Sequence, residues 1–305
     1  MRIERTVIGS FPRTPGKSLN SAIHDVLGLQ LRQGVDVVVD GEQRADMITY
    51  FEQIPGLGRG GRGLKVTGKV RPMDDPGEFY KLVDYISTRF YLDSIGRRDV
   101  RVKVTITGPV TLGMTSAMGG LTGYKSLRDP TLFQDIADAL LPLGEKALSM
   151  GALLQVDEPG LSARFESPKY TEHLLSRLSD SAIDAGRVSL HICGDVRKLF
   201  GELMALSVNV FSFGFSRRQE SMNMEAISRE SLGGKRLGAG FISNTYVEEP
   251  DVALRRLEAI AGKVGVENIA YLHPDCGFEP TPPELVEPIL SNMRDASERF
   301  FQSQG

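Results

Sequence analysis

A chain of 305 residues is long for an ordinary domain but suits an α/β barrel, for which about 250 residues is typical. The composition, 41% hydrophobic and 25% charged, is that of a globular protein with a substantial core, and a net charge of −3 carries no signal for nucleic acid or an anionic membrane. There is no run of about 18 apolar residues to span a membrane, the polar start MRIERTVIGSFP does not read as a signal peptide, and two widely separated cysteines do not make a disulfide framework. The cytoplasm is the expected location, and paired thiols there point to metal or catalysis.

Short β-branched apolar runs recur down the chain at RIERTVIGS, VDVVVDGE, VRVKVTITG, ALLQVDEP, RVSLHICG, VNVFSFGFS, RLGAGFIS and NIAYLHPDCG. Longer segments of helical character separate them. SLNSAIHDVLGLQLRQG follows the first run. LFQDIADALLPLGEKALSMG opens after Asp129-Pro130 and stops at Gly151, and PDVALRRLEAIAGKVG starts at Pro250 and also closes on glycine. Strands alternating with helices imply a parallel sheet, and eight repeats close a single (β/α)8 barrel over residues 1–305; an open doubly wound sheet is the competing architecture. Two segments depart from the repeat. From Phe51 to about Arg71 the chain is too glycine-rich for a helix. It reads either as a surface loop or as a basic hairpin or lid near 52–72, with Arg59, Arg62, Lys65, Lys69 and Arg71 available to an acidic partner. TGPVTLGMTSAMGGLTG reads as a long small-residue loop after the third strand.

In such a barrel, chemistry sits where the strands end. The first strand ends at Ile8, Gly9 and Ser10, the second at Asp40, Gly41 and Glu42, and the fourth at Asp157, Glu158 and Pro159. His191 and Cys193 end the fifth; His273, Asp275 and Cys276 end the eighth. Acidic residues, a histidine and both cysteines are thus expected to share one pocket. His191 and Cys193 are two apart, so they project to the same face of a strand. With Cys276 they form a two-sulfur, one-nitrogen set, the three-ligand pattern of catalytic zinc, although free cysteines also serve as small buried hydrophobes. Zinc deprotonates a bound thiol, and two cysteine thiolates cancel its charge, so a third, substrate thiolate stays electron-rich and nucleophilic. Sulfur-rich ligation therefore favours thiol alkylation over hydrolysis. Glu42 and Asp157 suit a substrate ammonium; helix caps or internal ion pairs are their other use. His273 could support the metal from behind or simply pack.

IGSFPRT, DGEQRADMITYF, RVKVTITGPVT, LLQVDEPGL, LHICGD and HPDCG occur in this order and span nearly the whole chain. In them the chain resembles the catalytic carboxy-terminal barrel of cobalamin-independent methionine synthase, and in its length the short, single-barrel form known from archaea. The resemblance implies a methyltransferase that makes methionine, zinc held by His191, Cys193 and Cys276, and homocysteine held by Ile8, Gly9, Ser10, Glu42 and Asp157. Departures from the pattern bear on the donor. Tryptophan is absent, Ala163 stands where the family has a glutamate after DEP, and no histidine occurs near Thr245. These argue against methyl-folate; the short form implies a methylcorrinoid (methylcobalamin or a corrinoid partner protein), with Arg59 to Arg71 as one docking candidate. Gly214 falls where the family has a fourth, glutamate zinc ligand, so either three ligands suffice or Glu220 or another group substitutes. The rival readings are a methylcorrinoid:coenzyme M-type methyltransferase, which would leave Glu42 and Asp157 unused, and a non-catalytic corrinoid- or thiol-binding homologue, which Gly214 favours.

Overall fold

A computed structural model describes residues 3–61, 63–217 and 221–304. Eight parallel strands form the expected barrel: β1 (Glu4–Arg5), β2 (Val37–Val38), β5 (Arg101–Thr107), β6 (Leu153–Asp157), β7 (Val188–Ile192), β8 (Val210–Gly214), β9 (Arg236–Ile242) and β10 (Ile269–Pro274). Neighbours run β1-β10-β9-β8-β7-β6-β5-β2, and a bridge from Thr6 to Val37 brings the two end strands together. Every residue of β6, β7 and β8 is buried, as strands must be when helices cover one face and the barrel interior the other. The interior is unusually polar. Lys103, Thr105, Gln155, Ser189, His191, Ser212 and His273 are all buried, and most are hydrogen-bonded to one another across the barrel.

The helices that wrap the barrel form where caps and spacing call for them. In α1 (Leu19–Arg32) the Ser18 hydroxyl accepts from Ser21 N, and Ala22, Ile23, Val26 and Leu27 make the buried stripe. After α2 (Tyr80–Ser94) and α3 (Pro109–Gly119), α4 (Pro130–Ser149) starts with Asp129 as cap and Pro130 in its first turn. The last large pair, Pro250–Val264 and Pro283–Ser303, pack on each other beside β9 and β10.

One expectation is corrected here. The stretch read as a small-residue loop after the third barrel strand is α3. Gly108 and Pro109 start it, and Glu158 accepts from its first free amides, Val110 N at 3.0 Å and Thr111 N at 2.9 Å. Its small residues serve close packing: a Cβ at Gly113 would lie 2.8 Å from Phe133.

The glycine-rich segment is an antiparallel hairpin, β3 (Leu57–Gly60) and β4 (Gly63–Val66), held down by buried Leu57, Leu64 and Val66 against α3 and the turn at Thr49–Gln53. Its cations are partly used internally: Arg59 pairs with Glu52, and Lys69 lies 3.7 Å from Asp135 and over the Tyr124 ring. Arg62 lies outside the described residues. Among the described residues, no helix is long and apolar enough to cross a membrane.

Candidate metal and substrate site

At the carboxyl ends of the strands lies a cavity of about 310 Å³, lined by Ile8, Gly9, Ser10, Glu42, Met47, Asp157, Pro159, His191, Cys193, Arg217, Cys276 and Gly277. All eight residues expected at the site are in that lining. Met47 and Arg217 were not expected, and nothing in their local pattern marks them.

The His191, Cys193 and Cys276 ligand atoms lie within 4.8 Å of one another, compatible with a single ion bonded at 2.0–2.3 Å to each. Gly194 lets the chain turn away directly after Cys193; its φ of 96° is a left-handed conformation, and a Cβ there would sit 2.8 Å from Ser162 Oγ. Behind the ligands runs a hydrogen-bonded line. His273 Nδ1 bonds the Pro274 carbonyl at 2.7 Å, His273 Nε2 bonds Ser212 Oγ at 2.8 Å, and Ser212 Oγ bonds His191 Nδ1 at 2.9 Å. His191 Nε2 is thereby left facing Cys193 Sγ at 2.9 Å. Burial, with His273, Lys103 and Arg217 adding to it, pushes His191 well below the ordinary imidazole range, so it is neutral and able to ligate. These residue types and distances fit a metal ion. Gly214 ends β8 with no side chain to offer, and its carbonyl accepts from Asn223 Nδ2 at 3.0 Å. Among the described residues the ligand group therefore has three members; Glu220 lies outside them.

Across the cavity from the three ligand atoms stand two carboxylates, Glu42 and Asp157. Glu42 follows Gly41, and both have positive φ, 54° at Glu42 and 78° at Gly41. Such backbone costs roughly 1–3 kcal/mol for a non-glycine residue and commonly marks functional positions. Glu42 Oε1 accepts from Lys81 Nζ at 2.6 Å and Thr105 Oγ1 at 3.1 Å. Asp157 Oδ1 accepts from Gln155 Nε2 at 2.6 Å. Burial, and the like charge of Glu42, push Asp157 well above the usual carboxylate range, while burial pushes Lys103 down. Gly9 packs closely beside them: a Cβ there would lie 3.3 Å from Thr105 Cγ2 and 3.5 Å from Glu42 Oε1.

Three acidic residues expected in the pocket point elsewhere. Glu158 is turned to α3 and also accepts from the Thr111 and Thr171 hydroxyls at 2.6 and 2.7 Å. Asp275 is buried under the loop after β8, accepting from Phe215 N and Ser216 N at 2.9 and 3.0 Å and from the Ser216 hydroxyl. Asp40 sits beneath the cavity, accepts from Glu42 N at 3.1 Å, and is raised to about 6 by burial.

Fold and site together define a (β/α)8 enzyme with a sulfur-rich centre able to hold a metal ion beside an acidic pocket. Residues 16–299 match the family model described as cobalamin-independent synthase, catalytic domain. The chain belongs to that family and is a methyltransferase of the methionine synthase type. It is 30% identical to a methionine synthase of Methanothermobacter marburgensis, over 97% of this chain and 99% of that protein. It is 26% identical to a 5-methyltetrahydropteroyltriglutamate–homocysteine methyltransferase of Shewanella oneidensis, covering 98% of this chain but 43% of that protein. In fold it is similar to a B12-independent methionine synthase from Shewanella sp. W3-18-1 solved with selenomethionine, with a TM-score of 0.77 at 18% identity over 100% of this chain and 99% of that one. The expected corrinoid donor and corrinoid-protein partner are not supported, because the family is the cobalamin-independent one. The same match sets the coenzyme M reading aside.

Proposed function

We propose that this enzyme moves a methyl group onto the thiol of homocysteine to give methionine, with zinc held by His191, Cys193 and Cys276. Bound there, zinc lowers the pKa of a thiol and leaves its sulfur nucleophilic. The chain's own residues do the rest. Glu42 and Asp157 take the substrate ammonium, and the 8–10 backbone with Ser10 takes the carboxylate end. These contacts aim the side-chain sulfur toward the ligand atoms. Sulfur, having lost its proton, donates an electron pair to the methyl carbon; the donor nitrogen keeps the pair of the bond it loses and takes up a proton in place of the methyl group. One observation carries the reading: the expected substrate residues and the three ligand atoms line the same cavity.

For the donor we take methyltetrahydropteroyltriglutamate, which the names of several relatives specify. The test is metal analysis of the purified protein, with methionine formation from homocysteine assayed using that donor and, in parallel, methylcobalamin. Zinc near one equivalent with methionine from the pteroylglutamate is the expected result. Methionine from methylcobalamin alone would reject the donor and keep the acceptor. Bound zinc with methionine from neither would reject the donor and put the acceptor in question, which homocysteine binding to the zinc-loaded protein then decides.

A further inference from the structure

Behind each pocket carboxylate stands a buried lysine. Lys81 bonds Glu42 directly, whereas Lys103 stands one residue further back. Its Nζ donates to Gln155 Oε1 and to the Val7 carbonyl, both at 2.6 Å. Gln155 Nε2 in turn donates to Asp157 Oδ1 at 2.6 Å and to the Ile8 carbonyl at 3.0 Å. Donor and acceptor types leave no freedom in this line. A backbone carbonyl only accepts, so the Gln155 nitrogen must face Ile8, and its oxygen then faces Lys103, whose amine has hydrogens to give. Lys103, Gln155 and Asp157 are all buried.

We propose that Lys103 and Gln155 are positioning residues that set how Asp157 meets the amino group of the thiol substrate. The Lys103 bond orients the Gln155 amide, the amide ties off Asp157 Oδ1, and Oδ2 is the oxygen presented to the ammonium. Glutamine suits the place because one group must accept from lysine on one side and donate to a carboxylate on the other. A glutamate there would add a third negative charge beside Glu42 and Asp157. The inference rests on the reading of Asp157 as an ammonium ligand.

The test is calorimetric titration of the zinc-loaded protein with L-homocysteine and with 4-mercaptobutanoate, which keeps the thiol and carboxylate but lacks the amino group. Gln155→Glu, which still accepts from Lys103 but has no N–H to give Asp157, and Gln155→Leu should each weaken homocysteine binding by roughly tenfold or more. Lys103→Met should act in the same direction. Zinc content should hold, and 4-mercaptobutanoate affinity should stay within about twofold. Unchanged homocysteine affinity, or equal loss for both thiols, would overturn the proposal, the second because it marks a merely structural role. Asp157→Asn separates the two layers. If it too leaves homocysteine affinity intact, the ammonium reading has failed; if it alone causes selective loss, that reading stands and the positioning role fails.

Discussion

Ser212→Ala tests how the proposed metal centre is oriented. His273 is buried between a carbonyl and a hydroxyl, and burial holds it down to about 4, so it is neutral. The Pro274 carbonyl only accepts, so His273 carries its proton on Nδ1 and Nε2 is an acceptor. Ser212 must then donate to His273 and accept from His191 Nδ1, which leaves the His191 Nε2 lone pair for the ion. Removing the hydroxyl strands a buried N–H on His191 and a buried lone pair on His273. Leaving one such group unpaired costs about 1–3 kcal/mol, and loss of an outer partner of a metal-bound histidine typically lowers affinity about 10–100-fold. The expected result is a zinc affinity reduced by about that factor, measured by competition with a chromophoric chelator at fixed pH. An affinity within about twofold of the parent would refute the argument, since the tautomer of His191 would then not depend on Ser212.

With Gly214 in place of a fourth protein ligand, the centre should release metal readily: dialysis after chelator challenge should leave less than one equivalent, and tight one-to-one retention would count against this. Glu158→Gln replaces one of the two accepting oxygens by an amide nitrogen, which then faces the backbone N–H of either Val110 or Thr111, and should cost about 2–4 kcal/mol in urea unfolding without altering zinc content; a change below about 1 kcal/mol would show that α3 does not depend on this cap. Gly277→Ala drives a Cβ into Ser10 Oγ, so homocysteine should bind more weakly while zinc stays, as calorimetry and metal analysis on one sample would reveal. The Asp157 carboxyl is held above its ordinary range, so the folded state binds more protons than the unfolded one and stability falls as pH rises from the ordinary carboxylate range toward the raised value. Asp157→Asn removes that cost, and its melting temperature at neutral pH should exceed the parent's, with substrate binding lost in exchange; an unchanged or lower melting temperature would contradict the buried-charge argument.

Much of this architecture was legible in the chain because its signals are local. Buried parallel strands read as β-branched runs, helices announce themselves by caps such as Ser18 and Asp129, and a barrel carries every strand's carboxyl end to one face. That rule alone gathers Ser10, Glu42, Asp157, His191, Cys193 and Cys276. The two-residue strand period also held information left unused. Glu158 is one residue past Asp157, so it must face the other way, and Lys103, Thr105 and Thr107 alternate with valine and isoleucine, as an inward-facing polar row does. Other features had no local signal. In TGPVTLGMTSAMGG the helix formers Leu112, Met114, Ala117 and Met118 are interrupted by Gly113 and the β-branched Val110, Thr111 and Thr115, and α3 forms because Glu158, 48 residues from Val110, caps it and Phe133 packs on Gly113. Likewise, Arg217 and Met47 reach the cavity and Asp275 turns beneath the loop after β8 only in the folded barrel, and Lys103 finds Gln155 only when β5 and β6 pair. Sequence specifies which groups lie at the strand ends. Which of them face the cavity and which are spent on a backbone amide depends on partners tens of residues away, and burial makes that choice by requiring every enclosed polar group to find one.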